Sequence, residues 1–355
     1  TTVLRVMCCA DGKTQSETID LTYLINENDN LPVVTIVANP DDLFSEWSGI
    51  YTTGPYAEEE VPYYGANYWM GWEKAACLSL FETDGSGFSV KCGVKIFGNY
   101  SRIREKKSLS CMFRSKYGAS QLEYPLFGDD GLDTYESFIL RSGGQDSTDS
   151  RIRDELVTSL VGDYTDVPVQ AYRPVVLYLN GQYWGIHYIR EKLTEHYLAG
   201  HYNTEAENMT VVYPSDGRNA DYWDMIDFIR TKDMSIQENY EYVCTQMDVD
   251  NYIDFIIAQM WIANTDLPGN IKFFQTPEGK WTWILFDADI SFIDPSADRV
   301  RFVFEGPVDD EGDVIERILA VELIENPEFR EKFLTRMAWQ MNAVWKEENV
   351  LARID

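Results

Sequence analysis

The segment Ile262-Ala263-Asn264-Thr265-Asp266-Leu267-Pro268-Gly269-Asn270 places an aspartate and an asparagine in a Pro-Gly loop at the end of an apolar helical pattern. The apolar run that follows this loop ends in Asp287-Ala288-Asp289. The turn signal Thr276-Pro277-Glu278-Gly279 divides the run into two predicted strands, 271–275 and 280–286. We therefore expect a hairpin that returns Asp287 to the loop carrying Asn270.

Carboxylates gathered in this way favour a metal site. They repel one another unless a cation neutralises them, and oxygen ligands of this kind suit Mg²⁺ or Mn²⁺. One carboxylate would remain to act as a base or to orient an attacking hydroxyl. The alternative is that Asp266 only caps a turn and that Asp287 and Asp289 face solvent. An apolar strand that ends in Asp-x-Asp must either solvate or neutralise those charges.

Outward from this segment, the chain changes from strand patterns to helix patterns. Apolar alternation predicts strands at 3–9, 17–25, 31–37, 76–81, 88–97, 106–113, 137–141, 174–179 and 182–189. Helical periodicity or helix-start signals cover 40–44, 151–160, 193–199, 222–230, 236–246, 249–263, 313–324 and 327–346. This order predicts an α+β chain in which a β-rich half precedes a helical half.

Three segments follow from this pattern. Residues 1–29 resemble the last strands of a preceding sandwich module, or an edge added to the main domain. Residues 30–190 form the predicted β-rich lobe, and residues 191–355 form the predicted helical lobe. We place the boundary there because the hairpin at 174–189 leads through Arg190-Glu191-Lys192 directly into a helix.

The composition limits the classes of partner. A net charge of −29 on 355 residues weighs against nucleic acid, because phosphates are repelled. Such acidity suits a secreted or surface protein, although acidic cytosolic proteins are common too, and no apolar run approaches the roughly 20 residues needed to span a bilayer. We therefore expect an extracellular or cell-surface protein without a membrane span, as part of a larger multidomain chain. The sequence does not indicate an oligomeric state.

A basic segment in the β-rich half is a candidate phosphate site. The polar loop Gly98-Asn99-Tyr100-Ser101-Arg102 precedes Lys106 and Lys107. Backbone N–H groups and lysine charges of such a loop can cradle phosphate. The alternative is a solvated basic strand end. Other chemistries lack their motifs, since the three histidines have no zinc spacing and no G-x-S-x-G elbow occurs.

Several unusual motifs occur in a fixed order that resembles the CotH (spore coat protein H-type) kinase family, over roughly residues 30 to 345. They are Leu31-Pro32-Val33-Val34, Lys106-Lys107-Ser108-Leu109, Tyr117-Gly118-Ala119-Ser120, Tyr172-Arg173-Pro174-Val175-Val176, Asn180-Gly181-Gln182-Tyr183-Trp184-Gly185, Arg190-Glu191-Lys192, Asn264-Thr265-Asp266 and Phe286-Asp287-Ala288-Asp289. The resemblance implies an atypical protein-kinase-like fold in which a β-rich N-lobe and a helical C-lobe enclose ATP. It implies transfer of the ATP γ-phosphate to Ser or Thr of a protein, in some members a spore coat protein.

The resemblance also implies roles for individual residues. Asp266 corresponds to the catalytic aspartate and Asp287 to the metal-binding aspartate. Asn270 and Asp289 are the further metal-ligand candidates, with Mg²⁺ or Mn²⁺ as the ion. The ATP-binding candidates are Lys107, Lys106, Arg102 and Glu191, of which Glu191 would lie at the hinge beside adenine.

Two other functions remain open. The first is a structural or scaffolding surface protein that keeps a kinase fold and binds nucleotide with little transfer. The second is a carbohydrate-associated protein, because acidic pairs together with 10 Trp and 22 Tyr suit sugars. A scaffold needs none of Lys107, Asp266, Asn270 and Asp287, whereas all four are present.

The loop between Asp266 and Asn270 is shorter than in ordinary protein kinases. Protein kinases separate the catalytic Asp and Asn by four residues, whereas three residues separate Asp266 from Asn270. This shorter spacing predicts reduced activity or an altered metal preference.

Overall fold

The structure is a computed structural model that describes residues 1–25, 30–128, 131–212, 219–267, 270–305 and 315–354, with only the backbone at 315 and 316. It is a mixed α+β chain, as predicted. The chain divides into two compact units, one formed by Thr1–Thr148 with Ala171–Lys192 and the other by Asp149–Gln170 with Leu193–Asp355. Residues 149–170, which the sequence division groups with the strands, are grouped here with the helices.

The first unit is β-rich. Its elements are β1 (Thr2–Val6), β2 (Ile19–Tyr23), β3 (Val33–Ala38), α1 (Pro40–Phe44), β4 (Lys74–Phe81), β5 (Gly87–Phe97), β6 (Ser108–Met112), β7 (Leu122–Glu123), β8 (Thr134–Tyr135), β9 (Ser137–Arg141), β10 (Tyr172–Leu179) and β11 (Gln182–Glu191). Short 3₁₀ turns lie at 67–69, 100–103, 115–117 and 144–148. The predicted strands from 31 to 189 are therefore confirmed.

Strands β3, β4, β5, β6, β9, β11 and β10 form a closed barrel in that order. Neighbours are antiparallel except β10 and β3, whose parallel pairing closes the barrel. The β10–β11 hairpin has the predicted Asn-Gly turn, with φ of 48° at Asn180 and 80° at Gly181, as a type I′ turn requires. The Asn180 side-chain oxygen also accepts the Ala38 N–H at 2.9 Å, so the hairpin turn is tied to the end of β3.

Alternate residues of the barrel strands form one apolar core. Every residue of β3 is buried, which explains why its sequence is a continuous apolar run rather than an alternating one. The residues of this core on the barrel strands are Val34, Ile36, Ala38, Ala76, Leu78, Leu80, Cys92, Val94, Ile96, Leu109, Cys111, Phe138, Leu140, Val175, Leu177, Leu179 and Ile189.

The N-terminal strands β1 and β2 form a separate two-stranded antiparallel sheet within the first unit. This confirms the two strands predicted at 3–9 and 17–25, with shorter bounds than their pattern suggested. Arg5 pairs with Asp20 at 2.7 Å across the two strands. The Thr35 hydroxyl of β3 donates to the Thr22 hydroxyl of β2 at 3.3 Å, so this small sheet is joined to the barrel by side chains.

The second unit is mainly helical. Its elements are α2 (Arg153–Tyr164), α3 (Glu195–Tyr202), β12 (Val211–Val212), α4 (Ala220–Thr231), α5 (Gln237–Gln246), α6 (Val249–Trp261), β13 (Lys272–Gln275), β14 (Trp281–Ile284), α7 (Arg299–Glu305), α8 (Ile315–Leu323), α9 (Pro327–Asn342) and α10 (Glu347–Ile354). Strands β12, β13 and β14 form one antiparallel sheet. The predicted hairpin after residue 270 is confirmed, and so are the predicted helices of this half.

Helix α6 is the centre of the helical unit, since Val249 and every residue from Asn251 to Met260 are buried. The Asp248 carboxylate caps the start of this helix, because it accepts the Asn251 N–H at 3.0 Å. Helix α2 joins the same core through Leu156, Val157 and Leu160, which is why residues 149–170 group with the helices. Within the described ranges, no helix combines the length and the apolar character that a membrane crossing requires.

Candidate active site

Helix α6 and strand β14 are aligned by a pair of buried hydrogen bonds. The Asn251 amide donates to the Trp283 carbonyl at 3.1 Å, and its oxygen accepts the Trp283 N–H at 2.7 Å. The Asp248 N–H also donates to the Trp281 carbonyl at 2.9 Å. The start of α6 is thereby held against the strand that leads to Asp287.

The loop after α6 is built around Asn264, which is fully buried. Its amide donates to the Gln259 side chain at 2.9 Å, and its side-chain oxygen accepts the Asp266 N–H at 3.0 Å. Ala263 has a φ of +51°, so the chain reverses by a left-handed residue directly after the helix. Pro268 and Gly269, the turn residues that the sequence singled out, lie outside the described residues.

Asn270 links the two halves of the candidate site. Its Nδ2 donates to the Asp266 carboxylate at 2.9 Å and lies 3.4 Å from the Asp287 backbone carbonyl. The expectation that the hairpin returns Asp287 to the loop of Asn270 is confirmed. These contacts use the amide nitrogen of Asn270, and its side-chain oxygen is the atom that suits a hard cation.

The carboxylates of Asp266 and Asp287 interact unfavourably. Burial raises the pKa of Asp266 above the ordinary value, the nearby Asp287 charge raises it further, and the hydrogen bond from Asn270 opposes both effects. Both carboxylates are half-buried. A bound cation would relieve this repulsion, because its positive charge would neutralise two like charges that neither water nor the protein fully screens.

The segment after β14 turns sharply at Asp287, whose φ is +54°. The next N–H, that of Ala288, donates to the buried Asp154 carboxylate at 2.9 Å. The Ser291 hydroxyl donates to the Ala288 carbonyl at 2.6 Å. Both backbone groups of Ala288 are therefore held by side chains, and Asp289 beside it is only 4% exposed.

Asp154 is the residue of this site that the sequence did not single out. Periodicity predicted its helix, but in the sequence Asp154 is one of many acids near a helix start. It is 1% exposed, and its contact with Ala288 spans 134 positions of the chain. Only the tertiary structure brings it to the segment that carries Asp287 and Asp289.

The oxygen groups of Asp266, Asn270 and Asp287 fit a Mg²⁺-type ion in part. Such ions are usually held by one or two carboxylates, with waters and substrate phosphates completing the octahedron. Among the residues that the structure describes, no group of three or more His, Cys, Asp or Glu is arranged to hold a metal ion. The arrangement therefore suits an ion that arrives with phosphates, rather than a site closed by protein ligands alone.

The basic candidates lie in the β-rich unit, on or near the 3₁₀ turn at 100–103. Lys107 is 4% exposed, and its ammonium donates to the carbonyls of Arg102 at 2.6 Å and Arg104 at 2.7 Å. It also lies 4.2 Å above the Tyr68 ring. Burial lowers the pKa of Lys107 to about 8. Its ammonium thus stabilises the preceding turn, a role that the sequence did not predict.

The other two basic candidates also make local contacts. The Arg102 guanidinium lies 5.3 Å from the Trp69 ring and donates to the Gly98 carbonyl. The Lys106 ammonium passes so close to Gly185 of β11 that a Cβ there would lie 2.0 Å from it. The φ of +91° at Gly185 is the feature that requires glycine there, because the lysine end is flexible and can shift.

Glu191 lies apart from these basic residues. It is 2% exposed at the end of β11, where its carboxylate accepts the Ala171 N–H at 2.9 Å. Glu191 pairs with Phe138, which pairs with Cys111 of β6. Lys107 directly precedes β6 and is four residues before Cys111 in the chain. At the rise per residue of a strand, Lys107 is therefore about 13 Å from the level of Glu191. The structure groups Arg102, Lys106 and Lys107, and it does not bring Glu191 to them.

The chain has a match among known protein families. No curated protein matches the chain. The family described as CotH kinase protein matches residues 94–355, a range that includes Asp154 and every candidate site residue named above. Because this match covers well over half of the chain, the protein belongs to the CotH kinase family.

Proposed function

We propose that the protein is an atypical Ser/Thr protein kinase that transfers the γ-phosphate of ATP to a protein hydroxyl with the help of a divalent cation. The β-rich unit would serve as the N-lobe of a kinase-like fold and the helical unit as the C-lobe. Membership of the CotH kinase family supports a kinase-like function.

The observation that carries the proposal is the arrangement of Asp266, Asn270 and Asp287. Asn270 contacts both aspartates, and the Asp287 charge raises the pKa of Asp266. A carboxylate with a raised pKa is a better proton acceptor than an ordinary aspartate. Asp266 would accept the proton of the substrate hydroxyl as its oxygen bonds to the γ-phosphorus and the bond from that phosphorus to ADP breaks.

The metal part of the proposal follows from the oxygen donors. Asp287 and the side-chain oxygen of Asn270 would hold Mg²⁺ or Mn²⁺, with Asp289 as a further ligand candidate. When bound, the ion neutralises the charge of the nucleotide phosphates. The contact of Asn270 with both aspartates supports its assignment despite the loop being one residue shorter than in ordinary protein kinases.

In the β-rich unit, Lys107, Lys106 and Arg102 are the proposed phosphate-contacting cations, and Glu191 is the proposed adenine contact. For Lys107 this role requires its ammonium to exchange a backbone carbonyl for a phosphate oxygen, which offers a charged acceptor. The proposed partner is a protein that presents Ser or Thr, outside the cell or at its surface.

The test is incorporation of label from γ-labelled ATP into the purified protein or a Ser/Thr-rich protein, with Mg²⁺ or Mn²⁺. The parent should label, and Asp266→Ala and Asp287→Ala should each abolish labelling. Asp294→Ala is the matched control, since Asp294 is an exposed acid whose carboxylate accepts the Ser296 hydroxyl. Variants at 266 and 287 that label as well as the parent would overturn the assignment. An ATP titration beside this assay identifies the scaffolding alternative, in which ATP binds and no label is transferred.

A further inference from the structure

Asp154 holds the backbone of the segment that carries Asp287 and Asp289, although it belongs to a distant part of the chain. Its carboxylate accepts the Ala288 N–H at 2.9 Å in a buried hydrogen bond. A buried hydrogen bond is costly to break, because the Ala288 N–H would lose its partner away from water. The contact therefore fixes the peptide that follows Asp287.

The geometry at Asp287 requires such support. Its φ of +54° lies in the left-handed region, which non-glycine residues occupy only when their surroundings determine it. The Ser291 hydroxyl holds the Ala288 carbonyl at 2.6 Å, and Ser291 is fully buried. Asp154, which lies far before Ala288 in the chain, thus holds the Ala288 N–H, and Ser291, which lies just after it, holds the Ala288 carbonyl.

The helix that carries Asp154 is itself firmly placed. Asp154 lies in the first turn of α2, and its own carbonyl accepts the Thr158 hydroxyl at 2.7 Å. Leu156, Val157 and Leu160 of the same helix are packed in the main core of the helical unit. A displacement of Asp154 would therefore require α2 to move within a packed core.

We propose that Asp154 is a positioning residue, which sets the conformation of the Asp287–Ser291 segment and thereby the direction of the Asp287 carboxylate toward a divalent cation. Its metal part rests on the proposed function, whereas its conformational part does not. Mutation of a residue that orients a metal ligand without binding the metal itself typically lowers metal affinity by about 10–100-fold. We expect an effect of that size for loss of the Asp154 carboxylate.

The experiment compares Asp154→Ala and Asp154→Asn with the parent by two measurements. Amide hydrogen exchange over residues 285–292 reports the conformation of the segment without any ligand. Titration with Mn²⁺, followed through the free-ion signal in electron paramagnetic resonance, reports metal affinity. Asp154→Ala should speed exchange at Ala288 and weaken Mn²⁺ binding about 10–100-fold. Asp154→Asn keeps an oxygen acceptor for the Ala288 N–H, and it should lie closer to the parent in both measurements.

The matched control is Thr165→Ala in the same helix. The Thr165 hydroxyl donates to the Val161 carbonyl and accepts the Val167 N–H, so its loss weakens the end of α2 while both hydrogen bonds of Ala288 remain. If Asp154→Ala does not fold, Ser291→Ala removes the hydrogen bond to the Ala288 carbonyl, and the same two measurements apply to it. Exchange at Ala288 that is no faster in these variants than in Thr165→Ala would overturn the inference.

The two proposals fail in different ways. A parent that binds no Mn²⁺ would refute the metal part of the proposed function, and the metal part of this inference with it. Normal Mn²⁺ binding by the parent and by Asp154→Ala alike, with unchanged exchange, would refute the positioning role alone. Faster exchange together with weaker binding in Asp154→Ala supports both.

Discussion

Neutralising Asp266 should make the metal-free protein more stable while it removes activity. In the change Asp266→Asn, the side chain keeps an oxygen that can accept the Asn270 N–H, but it loses its charge. Burial and the charge of Asp287 both raise the pKa of Asp266, so the ionised carboxylate is held in an unfavourable environment. A residue selected only for stability would show the opposite sign.

The magnitude follows from the site. Two like unit charges about 4–6 Å apart repel each other by roughly 3–4 kcal/mol at an effective dielectric constant of about 20. Both carboxylates are half-buried, and solvent screening reduces the expected gain in unfolding free energy to about 1 kcal/mol. The double variant with Asp287→Asn should gain little more in unfolding free energy than Asp266→Asn alone, because one repulsion is removed only once.

The pH dependence has a defined sign. The pKa of Asp266 in the folded protein is raised above its ordinary value of 3.8. The folded state therefore binds the proton more tightly, and the parent loses this contribution to stability as the pH rises through the raised pKa. The advantage of Asp266→Asn should be largest at neutral pH and should disappear below about pH 4.

The assay is urea unfolding at several pH values, without metal and with Mn²⁺, beside the labelling reaction. Mn²⁺ should stabilise the parent and have little effect on Asp287→Asn, since a ligand stabilises only the state that binds it. Asp294→Asn is the control and should show no gain, because the hydrogen bonds from Ser296 lower the pKa of that carboxyl. An Asp266→Asn protein that is less stable than the parent at neutral pH, or that labels normally, would refute the reasoning.

Two further predictions concern the surroundings of the site and the basic segment. Ala263→Gly should raise the unfolding free energy by about 0.5–1 kcal/mol, because a left-handed alanine costs more than a glycine; a thermal melt that shows no increase would contradict the strain at its φ of +51°. Burial lowers the pKa of Lys107 from 10.5 to about 8. Between these two pH values the unfolded state therefore binds more protons than the folded state, so the free energy of unfolding rises with pH. Lys107→Met should remove that rise in guanidinium unfolding measured from about pH 7.5 to pH 10, and a slope equal to that of the parent would show that Lys107 remains charged.

Local patterns in the sequence predicted most of the elements. The Asn180-Gly181 turn was predictable because few residue pairs accept two left-handed conformations. Helix α6 and the β13–β14 hairpin were predictable because apolar periodicity and turn residues act over a few positions. The same reasoning predicted that Asp287 returns to Asn270, since a hairpin brings its two ends together whatever surrounds it.

The closure of the barrel was not predictable in this way. The parallel pairing of β3 with β10 joins residues that lie about 140 positions apart, and no local pattern records such a partner. The surroundings of Lys107 were not predictable from local patterns either. Its sequence suggests a solvated or phosphate-binding lysine, whereas Tyr68 and two backbone carbonyls enclose it in the folded chain.

The sequence by itself determined which residues are the candidates for the chemistry of this protein, namely Asp266, Asn270 and Asp287, because their order and spacing on a helix, a loop and a strand can be read locally. Only the tertiary structure decided how their charges interact and what holds them. The raised pKa of Asp266 depends on burial and on a second carboxylate, and the conformation at Asp287 depends on Asp154 from a helix far away in the chain. Both are effects of contact between distant segments, and such contacts exist only once the chain has folded.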